Sequence, residues 1–261
     1  MKFALAMYTV YEEMKRDLDA TLGAVREMGY EGIEMYGETL WPASVVKELL
    51  AKHGLELCGW HVEWRLLQLD TLENTIRYHA ELGNPNIIIP CLGGPWNVGH
   101  MPEDNHAATW LRYAEQMNEL ADRLEMEGMR LGYHTHAHEF HDSFDGVTPW
   151  NILIEHTKPS VFLELDTGNC LEGAGDPVIA LNETAGRLRV VHCKPLDSKQ
   201  GTEAAIAADG DLNDWPLILQ RCKAGGCEWL AIENESRTRG SKLAVAEQDL
   251  KSLISQLREA T

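Results

Sequence analysis

The chain has 261 residues, 44% of them hydrophobic, and carries 23 Lys and Arg against 41 Asp and Glu, for a net charge of -18. That length suits one large α/β domain or two small ones, and the charge argues against nucleic-acid or other polyanion partners, whose phosphates would be repelled. The six cysteines, at 58, 91, 170, 193, 222 and 227, form no CxxC pair and no dense framework, which reads as reduced, buried thiols in a cytosolic chain.

The opening "MKFALAMYTVYEEMKRD" is a short apolar run that soon meets Glu12 and Glu13. It lacks the long apolar stretch and small-residue cleavage site of a signal peptide, so it reads as a first strand. No segment approaches the ~18 uninterrupted apolar residues of a membrane helix, which predicts a soluble, cytoplasmic protein without membrane contact. In chain order the strand signals are "KFALAMY", "EGIEMY", "LELCGWH", "NIIIPCL", "RLGYHTH", "VFLELD", "LRVVHCK" and "WLAIENE". Between them run helical patterns such as "DLDATLGAVREMG", "ASVVKELLAKHG", "TLENTIRYHAELG" and "LNDWPLILQRCKAGG", several closing on a glycine suited to a left-handed C-cap, and "SKLAVAEQDLKSLISQLREA" closes the chain. Eight strands alternating with helices predict parallel pairing and a single (β/α)8 TIM barrel over residues 1–261. A doubly wound dinucleotide fold would carry GxGxxG after its first strand, and "MYTVYEEM" has no glycine. Two long irregular stretches, "CLGGPWNVGHMPED" and "PLDSKQGTEAAIAADGD", both follow strands, where a barrel carries its working loops.

Polar residues at the strand ends therefore carry the functional argument. The fifth strand ends in His134 and His136 with Glu139 beyond, the sixth in Asp166, the seventh in His192 and Lys194, and the eighth in Glu233. Residues two apart share a face of a strand, so His134 goes with His136, Glu164 with Asp166, and His192 with Lys194, all toward the barrel mouth. Crowding so many buried carboxylates together is costly unless a cation neutralises them. Carboxylates with an imidazole suit Mn2+ first, with Mg2+, Co2+ or Zn2+ as alternatives.

These residues resemble the sugar isomerase/epimerase group of xylose-isomerase-like TIM barrels, in particular the branch with a Tyr-His-Asn-His-x-x-Glu-Phe signature after the fifth strand. Here the signature reads "YHTHAHEF", with Thr135 in place of Asn, and further matches are "MYTV", "MGYEGIEMYG", "LELDTGN", "VVHCKPLD", "ADGDLNDW" and "AIENES". The resemblance covers nearly the whole chain and implies a metal held by Glu139, Asp166, His192 and Glu233. Related barrels place a Glu at about the register of His134, so His134 is the alternative to Glu139 as first ligand. Pro195 replaces an Asp common after His-x-Lys, and Asn169 stands where a His is frequent after "DTG".

The expected chemistry is isomerisation or epimerisation of a sugar or keto-sugar, in which a metal-stabilised enediolate forms when a carbon beside a carbonyl loses its proton. His134, His136 and Glu233 are the candidate acid/base groups. Lys194 either binds a substrate oxygen or pairs with Glu164 or Asp166. Trp60, His61, Trp96 and Asn169 are candidate substrate contacts, the tryptophans as walls for sugar C–H faces. Glu34 and Glu63 read as solvated or salt-bridged, and His138 as a solvated loop residue. A dehydratase or lyase of a keto-sugar, keto-inositol or 3-keto-glycoside would use the same enolate chemistry. A metal-dependent abasic-site endonuclease conflicts with the net charge, and a non-catalytic sugar-binding barrel conflicts with a filled ligand set. The expected partner is a small, unphosphorylated sugar or derivative, and a homo-oligomer is compatible with the sequence.

Overall fold

The expected strand signals all pair in parallel: β1 (Lys2–Ala6), β2 (Gly32–Tyr36), β3 (Glu56–His61), β4 (Asn86–Ile89), β5 (Arg130–His134), β6 (Phe162–Glu164), β7 (Val190–Cys193) and β8 (Trp229–Ile232). The computed structural model describes residues 1–93, 105–184 and 186–259. Its strand order is β6-β5-β4-β3-β2-β1-β8-β7. The two ends of that order meet through a parallel bridge between Asp166 and His192, and the His192 N–H donates to Leu165 O at 2.8 Å. The sheet thus closes into the (β/α)8 barrel that the sequence predicts.

Helices flank the barrel at Leu18–Met28, Ala43–His53, Leu72–Leu82, Ala107–Glu125, Pro149–His156, Pro177–Glu183, Trp215–Ala224 and Lys242–Glu259. Gly54 and Gly83 end two of them at φ 64° and 82°, as the C-cap reading requires. Outward strand residues such as Ile33, Ile87, Leu131, Leu163, Val191 and Leu230 pack with the helices in the main core. All six cysteines are buried, and none forms a disulfide among the described residues. Among the described residues no helix is long and apolar enough to cross a membrane.

Inside the barrel the lower layer is apolar, with Ala4, Cys58, Ile88, Phe162, Val190, Trp229 and Ala231 forming a separate buried cluster. Glycines on nearby strands make room for its two large rings, Gly132 being the direct pairing partner of Phe162. A Cβ on Gly32 would stand 2.7 Å from the Trp229 ring, and one on Gly132 would stand 2.3 Å from Phe162. The apolar layer plugs the floor, so among the described residues the polar strand ends above it are placed to meet a ligand from the mouth.

One irregularity sets which side chains reach that mouth. Ile33 pairs with Leu57, but Glu34 pairs with Gly59, so β3 carries an extra residue there. Cys58 faces the interior cluster before the bulge. Beyond it the alternation is inverted: Trp60 packs into the outer core and His61 turns inward.

Gly132→Ala should cost about 1–3 kcal/mol by overpacking against Phe162, measured by urea unfolding, and Phe162→Leu in the same chain should recover part of it. His79 is buried edge-on against Trp60 and Tyr78, and burial lowers its pKa to about 4. The unfolded chain binds this proton at about 6.5 and the folded chain does not. Its contribution is therefore complete above pH ~6.5 and is lost as the pH falls toward 4, by roughly 3 kcal/mol in all. His79→Leu should flatten that acid limb relative to wild type in unfolding curves taken between pH 7.5 and 4.5.

Candidate active site

Three ionisable groups meet where β6, β7 and β8 end. Asp166, His192 and Glu233 are all buried, and each offers a donor atom within 4.8 Å of the others. His192 Nδ1 lies 3.1 Å from Glu233 Oε2 and 3.8 Å from Asp166 Oδ2. The period-two alternation of the strands delivers them: Glu164 and Asp166 point inward together, as do His192 and Lys194. Asp166 Oδ1 accepts the Asn169 N–H at 2.8 Å and so caps the short helix Thr167–Glu172, while its Oδ2 is buried without a hydrogen-bond partner.

Lys194 is buried beside this group. Its ammonium donates to Glu233 Oε1 at 3.0 Å, Glu235 Oε1 at 2.6 Å and Asn169 Oδ1 at 3.1 Å. Its salt bridges are thus to Glu233 and Glu235. Asn169 is positioned by these contacts and donates its amide to Thr135 O at 3.0 Å.

A second, deeper tier lies beneath. His61 Nε2 is 2.8 Å from Glu164 Oε2 and 3.1 Å from Glu34 Oε2. His134 Nδ1 is 3.0 Å from Glu164 Oε2, and His192 Nε2 is 2.5 Å from Glu34 Oε2. His192 therefore faces the upper group with one ring nitrogen and the deeper group with the other. Of the two readings of Glu34, the solvated one fails, because it is 2% exposed and points into the barrel, and the salt-bridged one holds, with His192 and His61 as its partners. The inward alternation that marked Glu164 could have found it, since "GIEMYG" places Glu34 at the same height in β2.

The stretch after β5 divides its side chains between roles. His136 has a buried Nδ1 with no hydrogen-bond partner, and burial holds its pKa down at about 4, so the ring is neutral near pH 7. Glu139 is fully buried, but both its oxygens are engaged. One takes a short hydrogen bond from Tyr133 Oη and lies 3.0 Å from His138 Nε2, and the other accepts the His136 N–H at 2.8 Å. Glu139 belongs to neither group of clustered donor atoms among the described residues. His138 is not a solvated loop residue: its side chain is 10% exposed and contacts Leu92 O at 2.8 Å.

Of the candidate substrate contacts, His61 and Asn169 lie within these tiers. Trp60 does not line the mouth, because the bulge turns it outward, where its indole N–H donates to Gly37 O at 2.9 Å. Trp96 lies outside the described residues. Glu63 pairs with Arg65 at 2.6 Å on the surface, as the salt-bridged reading expects.

The electrostatics suit a cation. Burial, with neighbouring Glu34 in one case and Glu233 in the other, raises the pKa of Glu164 and of Asp166. Burial works the same way on Glu233, but Lys194 and His192 beside it hold its carboxyl below the ordinary range. Glu34 Oε1, Glu164 Oε1 and Asp166 Oδ2 are buried oxygens with no hydrogen-bond partner. Orphaned carboxylate oxygens beside imidazole nitrogens form the donor set a divalent ion requires.

Comparison with known proteins agrees with this architecture. The chain is 27% identical over 250 residues to the rhizopine catabolism protein MocC of Rhizobium meliloti, covering 89% of this chain and 75% of that one. It is 26% identical over 193 residues to the inosose dehydratase of Geobacillus kaustophilus, covering 68% of this chain and 62% of that protein's length. Among solved structures, a sugar phosphate isomerase/epimerase from Parabacteroides distasonis superposes with a TM-score of 0.80 at 20% identity, over 99% of this chain and 95% of the other. The family model described as a xylose isomerase-like TIM barrel matches residues 22–256, and the chain belongs to that family.

Proposed function

We propose that the protein is a divalent-metal-dependent isomerase or epimerase of a sugar or keto-sugar, working by proton transfer at a carbon next to a carbonyl. The observation that carries this reading is the meeting of Asp166, His192 and Glu233 at the barrel mouth, with an orphaned Asp166 oxygen and a buried lysine beside them. These three residues would hold the ion, and their oxygen-rich set favours Mn2+, with Mg2+, Co2+ or Zn2+ able to substitute. When bound, the ion supplies Lewis acidity toward neighbouring carbonyl and hydroxyl oxygens of the substrate.

The chain's own groups divide the remaining work. Lys194, already aimed at Glu233 and Asn169, binds a substrate oxygen and offsets negative charge developing there. His136, neutral and with a free ring nitrogen, accepts the proton from carbon, and Glu233 carries it at the opposite face, while His134 is committed to Glu164. Glu139, with both oxygens committed, fixes the His136 backbone instead of completing the ligand set. Asn169, held by Lys194 and Thr135, orients the substrate from the rim. The net charge of -18 suits an uncharged sugar in a soluble, cytoplasmic setting.

A dehydratase of a keto-inositol is the second reading, favoured by the similarity to an inosose dehydratase. It shares the proton abstraction and differs in expelling a neighbouring hydroxyl.

Asp166→Asn preserves the helix cap but removes a charged ligand. It should reduce retained Mn2+ to under about a tenth of an equivalent, by elemental analysis, with a melting temperature within a few degrees of wild type. Metal-loaded wild type incubated in D2O with a panel of sugars, keto-sugars and keto-inositols should exchange a carbon-bound proton in at least one of them, seen by NMR. His136→Asn should slow that exchange by about 10²–10⁴-fold. No exchange across the panel by fully loaded protein would sink the enolisation chemistry, and a dehydrated product would decide for the second reading.

A further inference from the structure

The tier beneath the proposed metal centre has a donor arrangement that hydrogen bonding alone leaves unsatisfied. His61, His134, Glu164 and His192 each offer a donor atom within 4.8 Å of the others, and all four are buried. Glu34 joins them through Oε2, 2.5 Å from His192 Nε2 and 3.1 Å from His61 Nε2. One N–H on His61 Nε2 faces two carboxylate oxygens, those of Glu34 and Glu164, and can serve only one fully. Glu164 Oε2 is approached by two imidazoles while its Oε1 is buried without a partner, and Glu34 Oε1 is likewise orphaned. His192 sets carboxylates against both ring nitrogens, so hydrogen bonds on both sides require a doubly protonated ring. A ring that ligates an ion through Nδ1 cannot supply that second proton there.

Charge points the same way. Glu34, Glu164, Asp166 and Glu233 each lie 2.5–3.8 Å from a His192 ring nitrogen, Lys194 pairs with Glu233 and Glu235, and the imidazoles carry no positive charge when they act as ligands. Without a deep ion a single imidazolium at His61 stands against the Glu34 and Glu164 pair, and both of their orphaned oxygens stay unserved in a dry interior, which is costly. The two tiers also differ in chemistry, since the upper is mostly oxygen and the deeper is rich in imidazole nitrogen.

We infer that Glu34, His61, His134 and Glu164 form a second divalent-cation site beneath the proposed catalytic one, with the His192 Nε2–H donating to Glu34, and with a preference for a borderline ion of the Zn2+ or Co2+ type. Nitrogen-rich donor sets of low coordination number favour such ions over Mg2+ or Mn2+. This site stands on its own donor atoms and does not depend on the proposed sugar chemistry, although His192 of the upper centre touches it through Glu34.

The test is Co2+ titration of chelator-stripped full-length protein, read by elemental analysis and by visible absorption, whose d–d bands are far more intense for four-coordinate than for six-coordinate cobalt. Wild type should bind two equivalents, one with the intense spectrum. His61→Asn and Glu164→Gln, each checked for folding by circular dichroism, should bind one equivalent and lose the intense bands, while Asp166→Asn should keep them. A wild type that binds one equivalent, lost in Asp166→Asn and kept in both deep-tier variants, overturns the second site and leaves the proposed function standing. A single equivalent that follows the deep-tier variants instead supports the deep site and removes the metal from the proposed catalytic position. No Co2+ uptake by wild type overturns both.

Discussion

The barrel closes through its own candidate site. β6 and β7 meet in the bridge between Asp166 and His192, and these two residues also present side chains to the interior. The backbone contact that completes the cylinder thus fixes the spacing of two of the three groups at the mouth. The third, Glu233, follows from the parallel register of β7 and β8, in which Cys193 pairs with Ile232. A rigid, closed sheet holds such groups more accurately than loops can, and it keeps mutually repelling carboxylates from drifting apart.

Everything below that level serves to dry and support it. Trp229 and Phe162 fill the floor of the barrel, accommodated by Gly32 and Gly132 on nearby strands. Above the floor, carboxylates and imidazoles occupy two tiers with His192 spanning both. Burial strengthens each attraction and each repulsion there, because the interior screens charge poorly. Burial opposes protonation of His61, yet Glu34 and Glu164 raise it to about 9, while burial and the neighbouring His192 hold His134 low. The same few ångströms thus support imidazoles of opposite charge preference, which is how a fold separates structural from proton-carrying roles.

The segment after β5 shows how local structure reassigns chemistry. Its histidines and glutamate look equivalent along the chain, yet Tyr133 and the His136 amide hold Glu139 on the helix side of the strand end. That leaves His136 with a free nitrogen near the mouth and commits His134 to Glu164. On β3, the extra residue at Cys58 exchanges the faces of Trp60 and His61. Gly59 is the only trace of that bulge in the sequence, consistent with a glycine inside a strand marking an irregularity.

The sequence by itself determined the barrel, the parallel strands and the inward face of β6, β7 and β8, because hydrophobic alternation and strand–helix spacing are properties of neighbours along the chain. Asp166, His192, Lys194 and Glu233 were legible for that reason: each lies at a strand end where period two decides its direction. Only the tertiary structure decided which oxygens remain free, that Glu34 belongs with His192, and that Trp60 turns away. Those depend on register between strands distant in sequence, on a one-residue bulge, and on whether a buried polar atom finds a partner across the barrel. None of these is encoded in the spacing of residues within a single strand.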